Sequence, residues 1–168
     1  GAVAFYKAAV AAGIRPIIGC EVYVAPRGMT DRVHGVDDAY THLVLLCRDE
    51  TGYHNLCYLV SAAFERGFYG KPRIDWPLLR AHAGGLICLS GCVAGDIPRA
   101  ILRGDYEAAK ARAVELQALF GEGNFYLELQ NHRMTDEARV RAALLRIHRE
   151  TGIPLAATND VHYIKKQD

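Results

Sequence analysis

The sequence predicts an α/β fold with mostly parallel strands, and two observations support this prediction. Short apolar runs rich in Ile, Val and Leu alternate along the chain with longer segments whose apolar residues recur at helical spacing. Clusters of Gly, Pro and Asp separate these segments and are typical of loops. Because parallel strands need a crossover connection, which is usually a helix, the alternation favours a parallel sheet. Such folds place their chemistry at the carboxyl ends of the strands.

The first half of the chain contains three predicted helices and three predicted strands. The helices are residues 2–12, which end at Gly13, residues 49–66, and a short helix that begins at Asp75. The strands are residues 14–25 (IRPIIGCEVYVA), 42–47 (HLVLLC) and 85–90 (GLICLS). Residues 26–39 and 68–73 contain Pro, Gly and charged residues, and we predict loops there.

The second half continues the alternation of strands and helices. Helices are predicted at residues 105–120 and 135–151, and strands at 124–130 and 153–158. We find no internal repeat and no linker, so the prediction is a single domain over residues 1–168. Because the chain opens directly on a helix that leads into an apolar strand, we also expect it to be an internal segment of a longer protein.

Composition excludes several classes of protein. The 168 residues carry a formal net charge of +1, which excludes a uniformly basic nucleic-acid-binding protein. No apolar run reaches the roughly 18 residues of a membrane-spanning helix, and the first residues lack the layout of a secretion signal. The five cysteines are scattered through apolar segments without a C-x-x-C pair, which disfavours a disulfide framework and a zinc ribbon. We therefore expect a cytoplasmic protein with no membrane partner.

Polar residues follow the last predicted strand. If the chain stays extended there, Asp160 and His162 point to the same side, with Cα atoms roughly 6.5 Å apart. A carboxylate and an imidazole at that spacing can bind one divalent cation or two neighbouring ones. The alternative is an Asp that caps a turn and a His hydrogen-bonded to it.

The strand at residues 124–130 also ends in polar residues. Glu128 and Gln130 share one side of that strand, and His132 continues this side if the chain remains extended. Polar groups on a buried strand face must be satisfied, so either a polar pocket or a solvated sheet face is expected.

Three further residues near strand ends could bind a cation. Cys92 follows the strand at residues 85–90, next to a glycine, and is either a metal-binding thiolate or an inert core thiol. Glu21 lies inside an apolar run, where it is paired, metal-bound or at an exposed edge. His42 precedes LVLL and either caps the strand or points into a site. Carboxylate, imidazole and thiolate together suit zinc or manganese in a hydrolytic site.

Six segments, in order along essentially the whole chain, resemble the PHP (polymerase and histidinol phosphatase) domain of bacterial DNA polymerase III alpha subunits. They are IIGCEVYVAP at 17–26, HLVLL at 42–46, GFYGKPRID at 67–75, LSGC at 89–92, LELQNH at 127–132 and ATNDVHY at 157–163. The combination is specific, whereas no single segment is.

This resemblance implies an incomplete, distorted (β/α)7 barrel of the PHP type with a divalent metal cluster at the strand ends. The implied ligands are Glu21, His42, Cys92, Asp160 and His162, whereas His132 matches a recurrent position whose ligation stays open. The implied metal is zinc or manganese, with magnesium for a parent polymerase. The family's early His-x-His and Asp-His motifs are absent from this sequence, so we expect the chain alone to be inactive.

The resemblance also implies a function. The parent would be a DNA-directed DNA polymerase, a nucleotidyltransferase of DNA replication, with a primer-template and other replicase subunits as partners. Tyr69, Lys71 and Arg73 match a loop that could contact nucleic-acid phosphates. The local chemistry would be metal-dependent 3′–5′ exonuclease hydrolysis. A stand-alone phosphatase and a non-catalytic scaffold are the alternatives.

Overall fold

The structure is a computed structural model that describes residues 1–165 and 167. It divides into two compact units, one formed by Gly1–Tyr40 and Val44–Cys88 and the other by Thr41–Leu43 and Leu89–Asp168. Helices and strands alternate along the described residues, which confirms the predicted α/β class. None of the helices in this described part is long and apolar enough to cross a membrane.

Six helices and seven strands occur in residues 1–165 and 167. The helices are α1 Ala2–Ala11, α2 Glu50–Glu65, α3 Trp76–Ala81, α4 Asp96–Leu102, α5 Tyr106–Phe120 and α6 Thr135–Thr151. The strands are β1 Gly19–Val24, β2 Thr41–Cys47, β3 Phe68–Tyr69, β4 Lys71–Ile74, β5 Leu86–Leu89, β6 Phe125–Leu129 and β7 Leu155–Ala157.

In the first unit the strand order is β3-β4-β1-β2-β5. Strands β1 and β4 are parallel, with Val24 opposite Ile74, and both of these side chains are buried. Helix α2 begins at Asp49, whose carboxylate accepts a hydrogen bond from the Gly52 N–H at 3.0 Å. Gly52 is required because a Cβ there would meet the Gly85 carbonyl oxygen at 1.8 Å. The predicted helix at residues 49–66 is confirmed.

The predicted strand at residues 14–25 is too long. The structure has a strand only at Gly19–Val24, because Pro16 has no N–H to donate and also restricts the residue before it. The predicted short helix after Asp75 is confirmed. The Asp75 carboxylate accepts from the Leu78 N–H at 3.0 Å, and Pro77 lies in the first turn, where its missing N–H costs no hydrogen bond.

The prediction of a loop at residues 68–73 is wrong. Strands β3 and β4 form an antiparallel hairpin there, and Gly70 makes the turn with φ of +68°. The charged and aromatic residues of this segment are typical of a loop, which is why the sequence does not predict the hairpin. Arg73 is nevertheless fully buried and pairs with Tyr23 of β1. The Arg73 guanidinium thus packs inside the unit and does not face solvent.

The second unit contains β6 and β7, which are parallel with Leu127 opposite Leu155. Helix α6 has the predicted bounds and ends at Gly152, which is left-handed with φ of +74°. Helix α4 was not predicted from the sequence. It is only seven residues long, and Pro98 lies in its first turn, where proline does not break a helix.

Candidate functional site

Five of the six predicted ligand positions lie in the second unit: His42, Cys92, His132, Asp160 and His162. The sixth, Glu21, lies on β1 in the first unit and is exposed to solvent. The second unit therefore contains most of the predicted ligands by itself.

His42 and Cys92 are adjacent. The Cys92 Sγ lies 3.8 Å from the His42 Nδ1, and both residues are partly buried. His42 is held in place by its backbone, because its N–H donates to the Ala94 carbonyl at 3.3 Å and it pairs with Gly95 in a parallel bridge. Gly91, with φ of +81°, brings the Cys92 segment to within van der Waals distance of His42.

Asp160 and His162 are also adjacent, although the predicted extended backbone is wrong. Asp160 has φ of +47°, in the left-handed region that, among residues other than glycine, asparagine and aspartate adopt most readily. This turn places the His162 Nδ1 2.7 Å from the Asp160 carbonyl oxygen and 4.0 Å from its Oδ1. His162 is exposed, so its ring is accessible from solvent.

His132 is held by two acceptors. Its Nδ1 lies 2.5 Å from the Glu137 Oε1, and its Nε2 lies 2.7 Å from the Asn159 carbonyl oxygen. Since a carboxylate and a carbonyl only accept, both ring nitrogens donate, which is possible only for the imidazolium form. The Asn159 carbonyl and the Glu137 carboxylate raise the pKa of His132 accordingly. In this arrangement His132 has no lone pair for a cation, and it fastens the segment that carries Asp160.

Glu137 was not identified from the sequence. It is buried, and burial alone would raise its pKa, but bonds from the side chain and N–H of His132 and from the Met134 N–H hold that pKa below its usual value. Its position in the first turn of a predicted helix was the available signal, because acidic residues are favoured there.

Glu128 shows which alternative holds for the polar face of β6. Glu128 is only 6% exposed, so this part of the face is buried and its polar group is satisfied within the protein, whereas Gln130 is half-buried and His132 is exposed. The Glu128 oxygens accept from the Gly91 N–H and from the side chains of Gln130 and Thr158.

Comparison with known proteins shows the family to which the chain belongs. The profile of the PHP domain family matches residues 1–132. The chain belongs to the PHP domain family. It is 46% identical to the DNA polymerase III subunit alpha of Treponema pallidum (strain Nichols) and 48% identical to that of Thermus aquaticus, in both cases over 100% of this chain. The protein of the same name from Deinococcus radiodurans is 40% identical, again over the whole chain. This PHP chain spans only 14% of the length of the first two relatives.

The PHP family resemblance implies a metal centre, and the chain offers donors of the right chemistry for one. A cysteine beside an imidazole and a carboxylate beside an imidazole are both donor sets suited to zinc. Within residues 1–165 and 167, however, no group of three or more His, Cys, Asp or Glu side chains is close enough to hold a metal ion. The PHP chain therefore supplies two donor pairs in one unit rather than a closed coordination shell.

The predicted phosphate-binding loop needs one correction. Arg73 is fully buried and donates to the backbone carbonyls of Gly67, Met29, Asp31 and Asp37, so it is not available to a phosphate. It also lies under the Tyr69 ring, with its Cζ 5.1 Å from the ring centroid.

Lys71 differs from Arg73 in its surroundings. It is exposed, and its Nζ lies 5.5 Å from the centroid of the Tyr23 ring. In this hairpin of the PHP chain, Lys71 and the partly exposed Tyr69 retain the access that a nucleic-acid contact requires.

The five cysteines are free thiols in the structure. Cys88 is buried, and burial raises the pKa of the Cys20 and Cys47 thiols. A raised pKa lowers the thiolate fraction at neutral pH, so these two thiols are poor candidates for ligation compared with Cys92 beside His42.

Proposed function

We propose that this chain is the PHP segment of a bacterial replicative DNA polymerase alpha subunit. The observation that carries the proposal is its similarity, over all of its length, to relatives named DNA polymerase III subunit alpha. On this proposal the parent copies DNA in the cytoplasm, its partners are the primer-template and other replicase subunits, and the strands described here belong to a distorted (β/α)7 barrel.

We further propose that the site hydrolyses phosphodiester bonds at a DNA 3′ end. His42, Cys92, Asp160 and His162 would hold divalent cations, zinc or manganese, whereas Glu21 stays a ligand prediction from the sequence. Bound cations of this kind polarise phosphoryl oxygens and lower the pKa of water. The two donor pairs support the proposal, because each brings a hard or soft anionic ligand against an imidazole at a strand end.

Lys71 and Tyr69 would contact the nucleic acid. Lys71 is exposed and carries the charge that a phosphate attracts, and Tyr69 offers part of an aromatic face on which a base can stack. These contacts would position DNA without reading its sequence, since phosphate contacts and stacking carry little base information.

A scaffold function is the second candidate. It is favoured by the absence of a three-ligand group from the described residues, since a domain without a closed metal site would brace the polymerase and bind partner subunits. The two candidates differ in one measurable property, which is stoichiometric divalent metal in the full-length protein.

The experiment is the substitution Asp160→Ala in the full-length protein, assayed for 3′–5′ exonuclease and for polymerase activity without a separate proofreading subunit. Loss of a ligand should exceed the 10–100-fold effect typical of outer-shell partners, so we expect the exonuclease rate to fall about 100-fold or more. Polymerase activity should be largely retained. Asp136→Ala is the matched control, because Asp136 is an exposed acidic residue at the start of α6.

Two outcomes count against the hydrolytic proposal. An exonuclease rate that is equal in wild type and Asp160→Ala would exclude Asp160 as a ligand. Purified full-length protein that contains no stoichiometric zinc or manganese and shows no 3′–5′ exonuclease activity would favour the scaffold.

A further inference from the structure

We infer that Glu128 is a positioning residue, which ties the segment that carries Cys92 to the segment that carries Asp160 and His162. This inference deepens the proposed function and rests on it for its consequence in metal binding. The link that Glu128 makes between these two segments lies within the second unit and can be tested without metal.

The first observation is that the Glu128 carboxylate is buried and that its donors within the described residues carry no positive charge. Glu128 lies on β6 and is 6% exposed, and within residues 1–165 and 167 the donors to its carboxylate are the uncharged Gly91 N–H and the side chains of Gln130 and Thr158. A buried carboxylate is costly unless its oxygens receive hydrogen bonds, so removal of any one donor leaves an expensive group less satisfied.

The second observation is where those donors come from. The Gly91 N–H donates to Glu128 Oε2 at 3.0 Å, and Gly91 directly precedes Cys92. The Thr158 hydroxyl donates to Oε1 at 2.5 Å, and Thr158 lies two residues before Asp160. Each carboxylate oxygen thus holds a different chain segment: one carries Cys92, and the other carries both Asp160 and His162.

The third observation is that the main chain reinforces the same arrangement. The Glu128 N–H donates to the Ser90 Oγ at 2.9 Å, so the strand is bonded on this side to the residue before Gly91. On the other side, the Thr158 N–H donates to the Leu129 carbonyl at 3.0 Å. These bonds bring both segments to the end of β6, and the carboxylate fixes their spacing.

A carboxylate suits this position better than an amide does. Glu128 accepts on both oxygens, whereas a glutamine would have one acceptor oxygen and an NH₂ group that cannot accept. In Glu128→Gln, either the Gly91 N–H or the Thr158 hydroxyl therefore loses its acceptor. Gln130 is a third group that needs an acceptor oxygen here, because its Nε2 also donates to the Glu128 Oε1 at 3.0 Å.

The consequence for function is the relative position of the two donor pairs. Outer-shell groups that orient ligands are worth 10–100-fold in metal affinity. If Glu128 loses its hydrogen bonds to the two segments, the distance between Cys92 and Asp160 is no longer fixed, although both side chains are still present.

The first test measures the tie in the metal-free, full-length protein by hydrogen exchange. Thr158→Val removes the hydroxyl while preserving shape, and we expect the peptide that contains Gly91 to exchange about tenfold faster. Thr158→Ser should restore slow exchange. Thr151→Val is the matched control, since the Thr151 hydroxyl donates to the Ile147 carbonyl at 2.7 Å at the far end of α6. Equal exchange at Gly91 in Thr158→Val, Thr151→Val and wild type would overturn the inference.

The second test measures the consequence with Co²⁺ as the probe. Binding is followed by the thiolate-to-cobalt absorption, which reports ligation by a cysteine. We expect Glu128→Gln to weaken Co²⁺ binding about 10–100-fold and Thr151→Val to leave it unchanged. Wild-type affinity in a folded Glu128→Gln would contradict a positioning role. If the wild-type protein itself binds no Co²⁺, the proposed metal function fails. The hydrogen-exchange experiment still tests separately whether Glu128 links the two segments.

Discussion

The Cys92 Sγ lies 3.8 Å from the His42 Nδ1, although the two residues are fifty positions apart in the sequence. The approach depends on Gly91. With φ of +81°, Gly91 has a backbone conformation that L-residues rarely adopt, and a Cβ there would lie 2.8 Å from the His42 carbonyl oxygen.

Gly91→Ala should therefore move the Cys92 side chain away from His42. The strain at a positive φ costs about 1–3 kcal/mol, and the contact with the His42 carbonyl adds to it. We expect a lower free energy of unfolding and a loss of cation affinity in the full-length protein. Urea unfolding and Co²⁺ titration measure the two effects.

Gly123→Ala is the control for this substitution. Gly123 has a similar φ of +77°, but a Cβ there would meet nothing within 4 Å. It should show the backbone strain alone, with unchanged metal affinity. Equal losses of stability and affinity in both variants would show that the close approach at Gly91 has no special role.

Arg73 is expected to matter for stability and not for DNA. Its guanidinium donates to four backbone carbonyls, two of them in Met29 and Asp31, and lysine has too few donors in the wrong geometry to replace it. Arg73→Lys should lower the free energy of unfolding by about 3 kcal/mol, because buried acceptors lose charged donors. The exposed Arg80→Lys is the control in urea unfolding. A change within experimental error in Arg73→Lys would contradict this account.

Lys71 should show the opposite behaviour. It is exposed, so Lys71→Ala should change the free energy of unfolding by less than about 0.5 kcal/mol. If it contacts a phosphate, affinity for single-stranded DNA should fall, and the slope of log K against log salt should decrease by roughly 0.7. A salt titration of DNA binding measures this slope. Identical slopes in wild type and Lys71→Ala would remove Lys71 from the interface.

The sequence predicts the regular elements of this chain well and its irregular segments poorly. Helix α6 has the predicted bounds, because its start, its apolar spacing and Gly152 all agree. The sequence predicts a loop where β3 and β4 form a hairpin, because Arg73 looks like a surface residue until its four carbonyl partners are known. Three of those partners, the carbonyls of Met29, Asp31 and Asp37, lie more than thirty residues away, outside any local pattern.

The same limit applies to the candidate site. The residue types were readable, and the pairs His42–Cys92 and Asp160–His162 do come together. The sequence did not predict the backbone at Asp160, because φ of +47° replaces the expected extended conformation there. For His132 the sequence could not show that two acceptors, one of them distant, occupy both ring nitrogens.

The first unit should lose stability in acid through Asp37. This carboxylate is fully buried and accepts from the Arg27 Nε at 2.9 Å, the Arg27 Nη2 at 2.6 Å and the Val33 N–H at 2.7 Å. The bonds from Arg27 hold the pKa of Asp37 at about 2.

A folded-state pKa below the unfolded value makes a carboxylate stabilising above the unfolded pKa, and this stabilisation is lost as pH falls through the folded pKa. Asp37→Asn should therefore be less stable than wild type at neutral pH, and the difference should narrow below about pH 4. Urea unfolding at a series of pH values from 7 to 3 measures it. Asp38→Asn is the control, because Asp38 is largely exposed and accepts from the Gly35 N–H at 3.2 Å. A deficit in Asp37→Asn that stays constant over this range, or widens in acid, would show that the ionised carboxylate does not stabilise the fold.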